Sequence, residues 1–220
     1  MVKGRGQLKM VMQRFAFVVL VLAAVWAQAF PVQAAPSVTT AEAFVKSLAD
    51  KAINAVAEPG IPDEERARRF RDLFTTSFDV PAIGQFVLGR YWRKATEPEK
   101  KEFLTLFEDV AVLTWAGRFK DYKGQTLTVK GSKPGNEGDI LVESSVDQKE
   151  GHPLSVVWRL VSEEAGFKAR DLVVDGVSMA ITYRSEYTSV LQRAGGKMDG
   201  LLGALKTKVA QLQEVSGPAK

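Results

Sequence analysis

The chain has no cysteine and a single histidine, His152. Without thiols there is no disulfide, no thiolate nucleophile and no Cys-ligated metal, so stability must come from an apolar core. One histidine leaves one base for a Ser-His-Asp arrangement, and it lies in GHPL, which reads as a turn or strand entry and argues against catalysis. Internal repeats and low-complexity segments are missing too. Long hydrophobic runs are scarce: FAFVVLVLAAVW, residues 15–26, is too short to span a bilayer comfortably.

That run has a distinctive setting. Lys3, Arg5, Lys9 and Arg14 precede it and the small residues of AQAFPVQAAPS follow, the three regions of a secretory signal peptide. Residues 1–34 are expected to be removed, with cleavage after Ala34 favoured over Ala29 or Ala35; a retained anchor is the alternative. The leader holds four of the 30 Lys and Arg and none of the 26 Asp and Glu, so 26 of each sign remain after it. The net charge of +4 therefore belongs to the leader. No nucleic-acid partner is expected, because that would call for a clustered basic excess. Residues 35–212 are long enough for one domain, with 213–220 as a disordered tail.

Apolar spacing of three to four predicts helices first. Phe44, Leu48, Ala52 and Val56 mark one, ended by EPGIP; Ala67, Phe70, Phe74 and Phe78 mark a second, opened by Pro62 and Asp63. Its RARRFR run resembles a phosphate clamp, but Glu64 to Arg68 and Glu65 to Arg69 are i to i+4 pairs, which predicts a solvated, salt-bridged face. Asp79 and Pro81 start a short third helix. Thr96 to Glu99 forms a capping box for the longest helix, reaching about Tyr122. Its apolar arc is wide enough to need a sheet on one side and a helix or ligand on the other.

The period then changes to two. Residues 126–132, 139–148, 154–161 and 166–174 read as four strands of an antiparallel meander, separated by PGNEG, KEGHP and SEEAG. Alternation gives one apolar face from Ile140, Val142 and Val146 and another from Leu154, Val156, Trp158 and Leu160. Met179, Tyr183, Tyr187 and Leu191 return to helical spacing, Gly195-Gly196 stops that helix, and MDGLLGALKTKVAQL makes a last one. The order predicts an α+β fold, helices packed on one face of a curved four-stranded antiparallel sheet.

Paired carboxylates at Asp171 and Asp175 raise the question of an active site. Four residues apart on a strand they stand roughly 13 Å apart on the same side, too far to share a metal. Asp175-Gly176 reads as a turn, Ser178 as the cap of the next helix, and Asp171 as a partner for Arg159 or Arg184. Arg66, Arg69, Arg90 and Arg93 are candidate ligand or partner contacts, with solvated surface favoured for each.

VLGRYWRKATEPEKKEFLTLFEDV, Val87 to Val110, and DLVVDGVSMAITYRSEY, Asp171 to Tyr187, resemble the MlaC-type family, also called the toluene-tolerance auxiliary family. Trp115 departs from its commoner pattern, which has tyrosine there. The resemblance implies a cone-shaped, nuclear-transport-factor-like fold with an apolar lipid cavity and no catalytic residue or cofactor. It implies a periplasmic carrier of phospholipid, supporting outer-membrane lipid asymmetry. Its implied partners are an inner-membrane ABC transporter with a lipid-binding ring protein and an outer-membrane lipoprotein–porin complex. Hopanoid or another isoprenoid lipid is the alternative cargo, as in relatives assigned to hopanoid trafficking. A hydrolase or isomerase on the same kind of fold would require a convergent polar pair in the pocket. The expected lipid-lining residues are Phe74, Phe78, Phe86, Val87, Phe103, Phe107, Val110, Val142, Val156, Trp158, Leu160 and Tyr183. Their apolar chemistry alone does not separate a filled core from a ligand pocket.

Overall fold

Helix α1, Val38–Val56, buries Ala41, Val45, Leu48 and Val56 at the spacing of one helical face, in a computed structural model that describes residues 38–148 and 151–216. The expected leader lies outside the described residues. Helix α2, Asp63–Ser77, opens with Asp63, Glu64 and Glu65 in its first turn, where acids favour the positive helix end. Asp79 accepts a hydrogen bond from the Ala82 amide at 3.2 Å and caps α3, Val80–Leu88, which tightens into a 3-10 turn at Gly89–Tyr91.

The longest helix, α4, spans Glu97–Arg118 and ends in a 3-10 turn at Phe119–Asp121. Its capping box is complete: the Thr96 amide donates to Glu99 at 2.7 Å and the Glu99 amide donates to Thr96 at 3.4 Å. Ser178 accepts from the Ile181 amide at 3.1 Å and caps α5, Met179–Arg193. Helix α6, Met198–Ser216, runs past residue 213, where a disordered tail was expected.

The sheet follows the order β1-β2-β3-β4-β5, with β1 Leu127–Pro134, β2 Ile140–Val146, β3 Leu154–Glu163, β4 Gly166–Val174 and β5 Val177–Ser178. All neighbours are antiparallel. The fifth strand goes beyond the four expected. Asp175 and Gly176 both take positive φ, 47° and 83°, the pair of left-handed residues that a tight two-residue hairpin demands. Chain reversal there returns Val177 onto Val174.

Register joins the two expected apolar faces into one: Ile140 opposes Leu160, Val142 opposes Trp158 and Val146 opposes Leu154. A bulge preserves that face across β4. Arg159 opposes Asp171 but Leu160 opposes Ala169, so Arg170 is extra, and the inward positions change from Phe167 and Ala169 to Leu172 and Val174. Helices cover this face while Ser155 and Arg159 stand exposed on the other.

Two apolar clusters result. One lies among α2 to α6 and contains Val87, Phe103, Val112, Leu191 and Leu201, each almost fully buried. Helices α3 and α4 touch closely at Gly84, where an added Cβ would come within 2.5 Å of Leu104. The other cluster packs Ala41, Val45 and Leu48 of α1 on the inward face of the sheet. These residues belong to one compact unit.

Candidate functional site

The two clusters leave space between them, a cavity of about 460 Å³. That is within the roughly 300–1,000 Å³ usual for small-molecule sites. Helix α4 contributes Phe107, Ala111 and Trp115; α1 contributes Leu48, Ala52 and Ile53; α2 contributes Phe70, Leu73 and Phe74. The sheet supplies Leu127, Val146, Leu154, Val156, Trp158, Leu172 and Val174, and α5 supplies Met179, Ala180 and Tyr183.

Antiparallel register gives the cavity two unlike ends. Leu127, Val146, Leu154 and Val174 all lie at one end of the sheet, with the start of α5 and the last turn of α4. At the opposite end Ile140, Leu160, Phe167 and Ala169 pack against α1, with the Phe44 and Phe167 rings 6.0 Å apart. None of these four lines the cavity, so that end is filled.

The walls are held in place by specific contacts. Phe70, Phe74, Phe78 and Trp158 form a chain of rings with centroids 6.1, 4.9 and 6.4 Å apart. Trp158 donates its indole N–H to Ser144 Oγ at 3.0 Å, and Ser144 donates to the Val156 carbonyl at 2.9 Å. A buried serine on an otherwise apolar face thus fixes the tryptophan ring at the wall. Phe107 meets Tyr183 edge-on at 6.0 Å. Burial raises the Tyr183 pKa, opposed by the neighbouring Trp115 indole; burial also raises that of Tyr187.

Arg118, Arg170 and Asp171 are the charged lining residues. Arg170 pairs with Asp79 at 2.9 Å. Asp171 is buried and accepts from Ser178 Oγ at 2.5 Å and from the Ala180 amide at 2.9 Å, so it serves the start of α5. It is not paired with the expected arginines: Arg159 pairs with Asp139 at 3.5 Å, and Arg184 lies over the Phe86 ring at 4.9 Å. Asp175 turns to the Ser155 amide at 2.8 Å. The two carboxylates therefore have separate structural partners. His152 is exposed and does not line the cavity.

Of the twelve expected lining residues, Phe74, Phe78, Phe107, Val156, Trp158 and Tyr183 come together on the cavity wall. Val87, Phe103 and Val110 lie in the helical core, and Val142 and Leu160 in the sheet-side core. Phe86 is on the surface, 41% exposed, because it occupies the face of α3 turned away from α4. Sequence reasoning missed the α1 residues and the small Ala111, whose short side chain leaves the room that its bulky neighbours would fill.

The arginines expected at the surface divide. Arg66 is buried, 6% exposed, and donates to the carbonyls of Val56 and Ile61. The unsatisfied carbonyls at the end of α1 explain why a charged side chain is drawn inward. Arg69 binds the Ala55 carbonyl, Glu58 and Glu65. Arg68 bonds Glu65 and Asp72, not Glu64. Arg90 lies over Tyr91 and Arg93 is exposed; none of Arg66, Arg69, Arg90 or Arg93 lines the cavity. Among the described residues no group of three or more His, Cys, Asp or Glu is placed to hold a metal, and no helix is long and apolar enough to cross a membrane.

A model of the MlaC protein family matches residues 46–207. The toluene tolerance protein ttg2D of Pseudomonas putida is 22% identical over 139 residues, 63% of this chain, and the match spans 65% of that relative's length. The phospholipid-binding protein of Ralstonia solanacearum, whose structure is a complex with a phospholipid, is similar with a TM-score of 0.71 at 24% identity, covering 79% of this chain and 98% of that one. At that identity the likeness concerns the fold.

Proposed function

The chain belongs to the MlaC family, and on that premise we propose that it is a phospholipid carrier that encloses acyl tails between α4 and the sheet. The observation that supports this reading is the cavity: apolar along its walls, filled at one end, and bordered at the other by strand ends and the last turn of α4. The phospholipid in the Ralstonia solanacearum complex supports the choice of cargo.

Tails provide the free energy. At about 0.8 kcal/mol per buried methylene, one chain of about fifteen carbons contributes on the order of 12 kcal/mol before ordering costs. Escape into water is slow at that affinity, so release requires a membrane complex that receives the tails directly. The carrier works in the periplasm, exchanging lipid between an outer-membrane lipoprotein–porin complex and an inner-membrane ABC transporter with its ring protein. No catalytic step is assigned to it: the lining carboxylate, Asp171, is already engaged at the start of α5.

The test is direct. The full chain is expressed in a Gram-negative host, purified without detergent and extracted with organic solvent, and the extract is identified by mass spectrometry. Stoichiometric phospholipid is the expected result, whereas a hopanoid would reassign the cargo to the isoprenoid class. Absence of lipid, joined to failure to take lipid from vesicles, would sink the carrier reading.

A further inference from the structure

Resting on the carrier reading, we propose that Arg118 anchors the phosphate of the cargo headgroup at the open end of the cavity. The inference begins with charge. Three charged residues line the cavity, and two are engaged within the protein, Arg170 in an ion pair with Asp79 and Asp171 in hydrogen bonds from Ser178 and the Ala180 amide. Arg118 has no acidic partner among the described residues. It lies instead over a ring: the guanidinium carbon is 4.9 Å from the Trp115 centroid.

That ring is part of the wall. Trp115 lines the cavity together with Tyr183, which packs edge-on against Phe107. A guanidinium that meets a ring through its face keeps N–H donors at its edge, and two of them match two oxygens of a phosphate. Arg118 closes α4, and a helix C-terminus favours any cation in its last turn. The dipole does not account for a guanidinium lying over a cavity-lining ring. An amphiphile with its tails among Phe107, Val156 and Trp158 places its headgroup at the end where Arg118 stands. The site therefore selects a phosphate-bearing lipid over an uncharged one with identical tails, and it discriminates little among phosphodiesters, because the contact reaches only the phosphate.

Native mass spectrometry of the full chain, offered dioleoylphosphatidylglycerol, dioleoylphosphatidylethanolamine and dioleoylglycerol in competition, tests this. The protein is expected to favour both phospholipids over dioleoylglycerol by about tenfold, equivalent to about 1.4 kcal/mol. Arg118→Gln brings the ratio close to one, and Arg118→Lys, which keeps the charge without the fork, holds an intermediate value. Lys123→Gln, a nearby exposed cation outside the lining, leaves the ratio unchanged. An undiminished ratio in Arg118→Gln, or an equal loss in Lys123→Gln, overturns the assignment. Abolition of the preference by excess inorganic phosphate also overturns it, since the site would then hold free phosphate rather than a headgroup. Failure of the carrier reading looks different: the unaltered protein takes up none of the three lipids.

Discussion

The layer among α3, α4, α5 and α6 is filled, whereas the layer between α4 and the sheet holds a cavity of about 460 Å³, and both are made of Phe, Tyr, Leu, Val and Ala. Helix α4 belongs to both. Phe103 and Val110 enter the filled layer, and Trp115 and Ala111 border the cavity, with Phe107 touching each. What separates the layers is the fit of partners. On the filled side Gly84 lets α3 approach until Leu104 occupies the space of a Cβ. On the cavity side small residues such as Ala52 and Ala111 leave room.

Substitutions in the two layers should separate stability from cargo. The largest expected effect on stability is Phe103→Ala, which opens a hole where the ring is fully buried and costs about 3–5 kcal/mol in urea unfolding. The counterpart on the cavity side is Val156→Glu. It should leave a folded protein that retains on the order of a tenth of the normal lipid or less, because an acyl chain beside a carboxylate would bury an unpaired charge. A normal lipid load in the folded variant would remove Val156 from the wall.

Overpacking gives a sharper contrast. Gly84→Ala adds one methyl to the filled layer and is expected to cost about 1–3 kcal/mol. Ala52→Phe adds a ring to the cavity and is expected to reduce lipid uptake with little loss of stability; equal destabilisation by both would contradict the difference between the layers. Ser144→Ala leaves the Trp158 N–H without its partner and should cost about 1–2 kcal/mol, read by thermal or urea unfolding.

The smallest effect concerns neither layer and serves as a baseline. Hydrogen bonds from Arg68 and then Arg69 lower the Glu65 pKa from 4.5 to about 2. Below pH 4.5 the unfolded chain binds more protons at this site than the folded one. Its contribution is therefore fully present above that pH and is lost as pH falls towards 2. Glu65→Gln should flatten stability across that window and leave neutral-pH lipid uptake unchanged.

Element type was legible because local signals agreed with tertiary demand: the capping box at Thr96 and Glu99, the cap at Ser178 and the hairpin residues Asp175-Gly176 all act as their chemistry requires. Half of the expected lining residues face the cavity, since spacing puts a residue on a face without naming what that face meets. Phe103 and Phe107 lie four apart with rings 5.9 Å apart, yet only Phe107 lines the cavity. The phase change at Arg170 is invisible to simple alternation because a bulge inserts one residue. Arg66 was misplaced because its role depends on where α1 ends, a tertiary fact.

The measurement that reaches the central claim most directly is photo-crosslinking with a phospholipid carrying a diazirine along one acyl chain, followed by peptide mapping. Crosslinks are expected at Leu48 to Ile53, Phe70 to Phe74, Phe107 to Trp115 and Leu154 to Trp158, the walls of the cavity. Crosslinks concentrated instead at Val87, Phe103, Val142 and Leu160, or confined to exposed surface, would contradict the assignment of the tails to the space between α4 and the sheet.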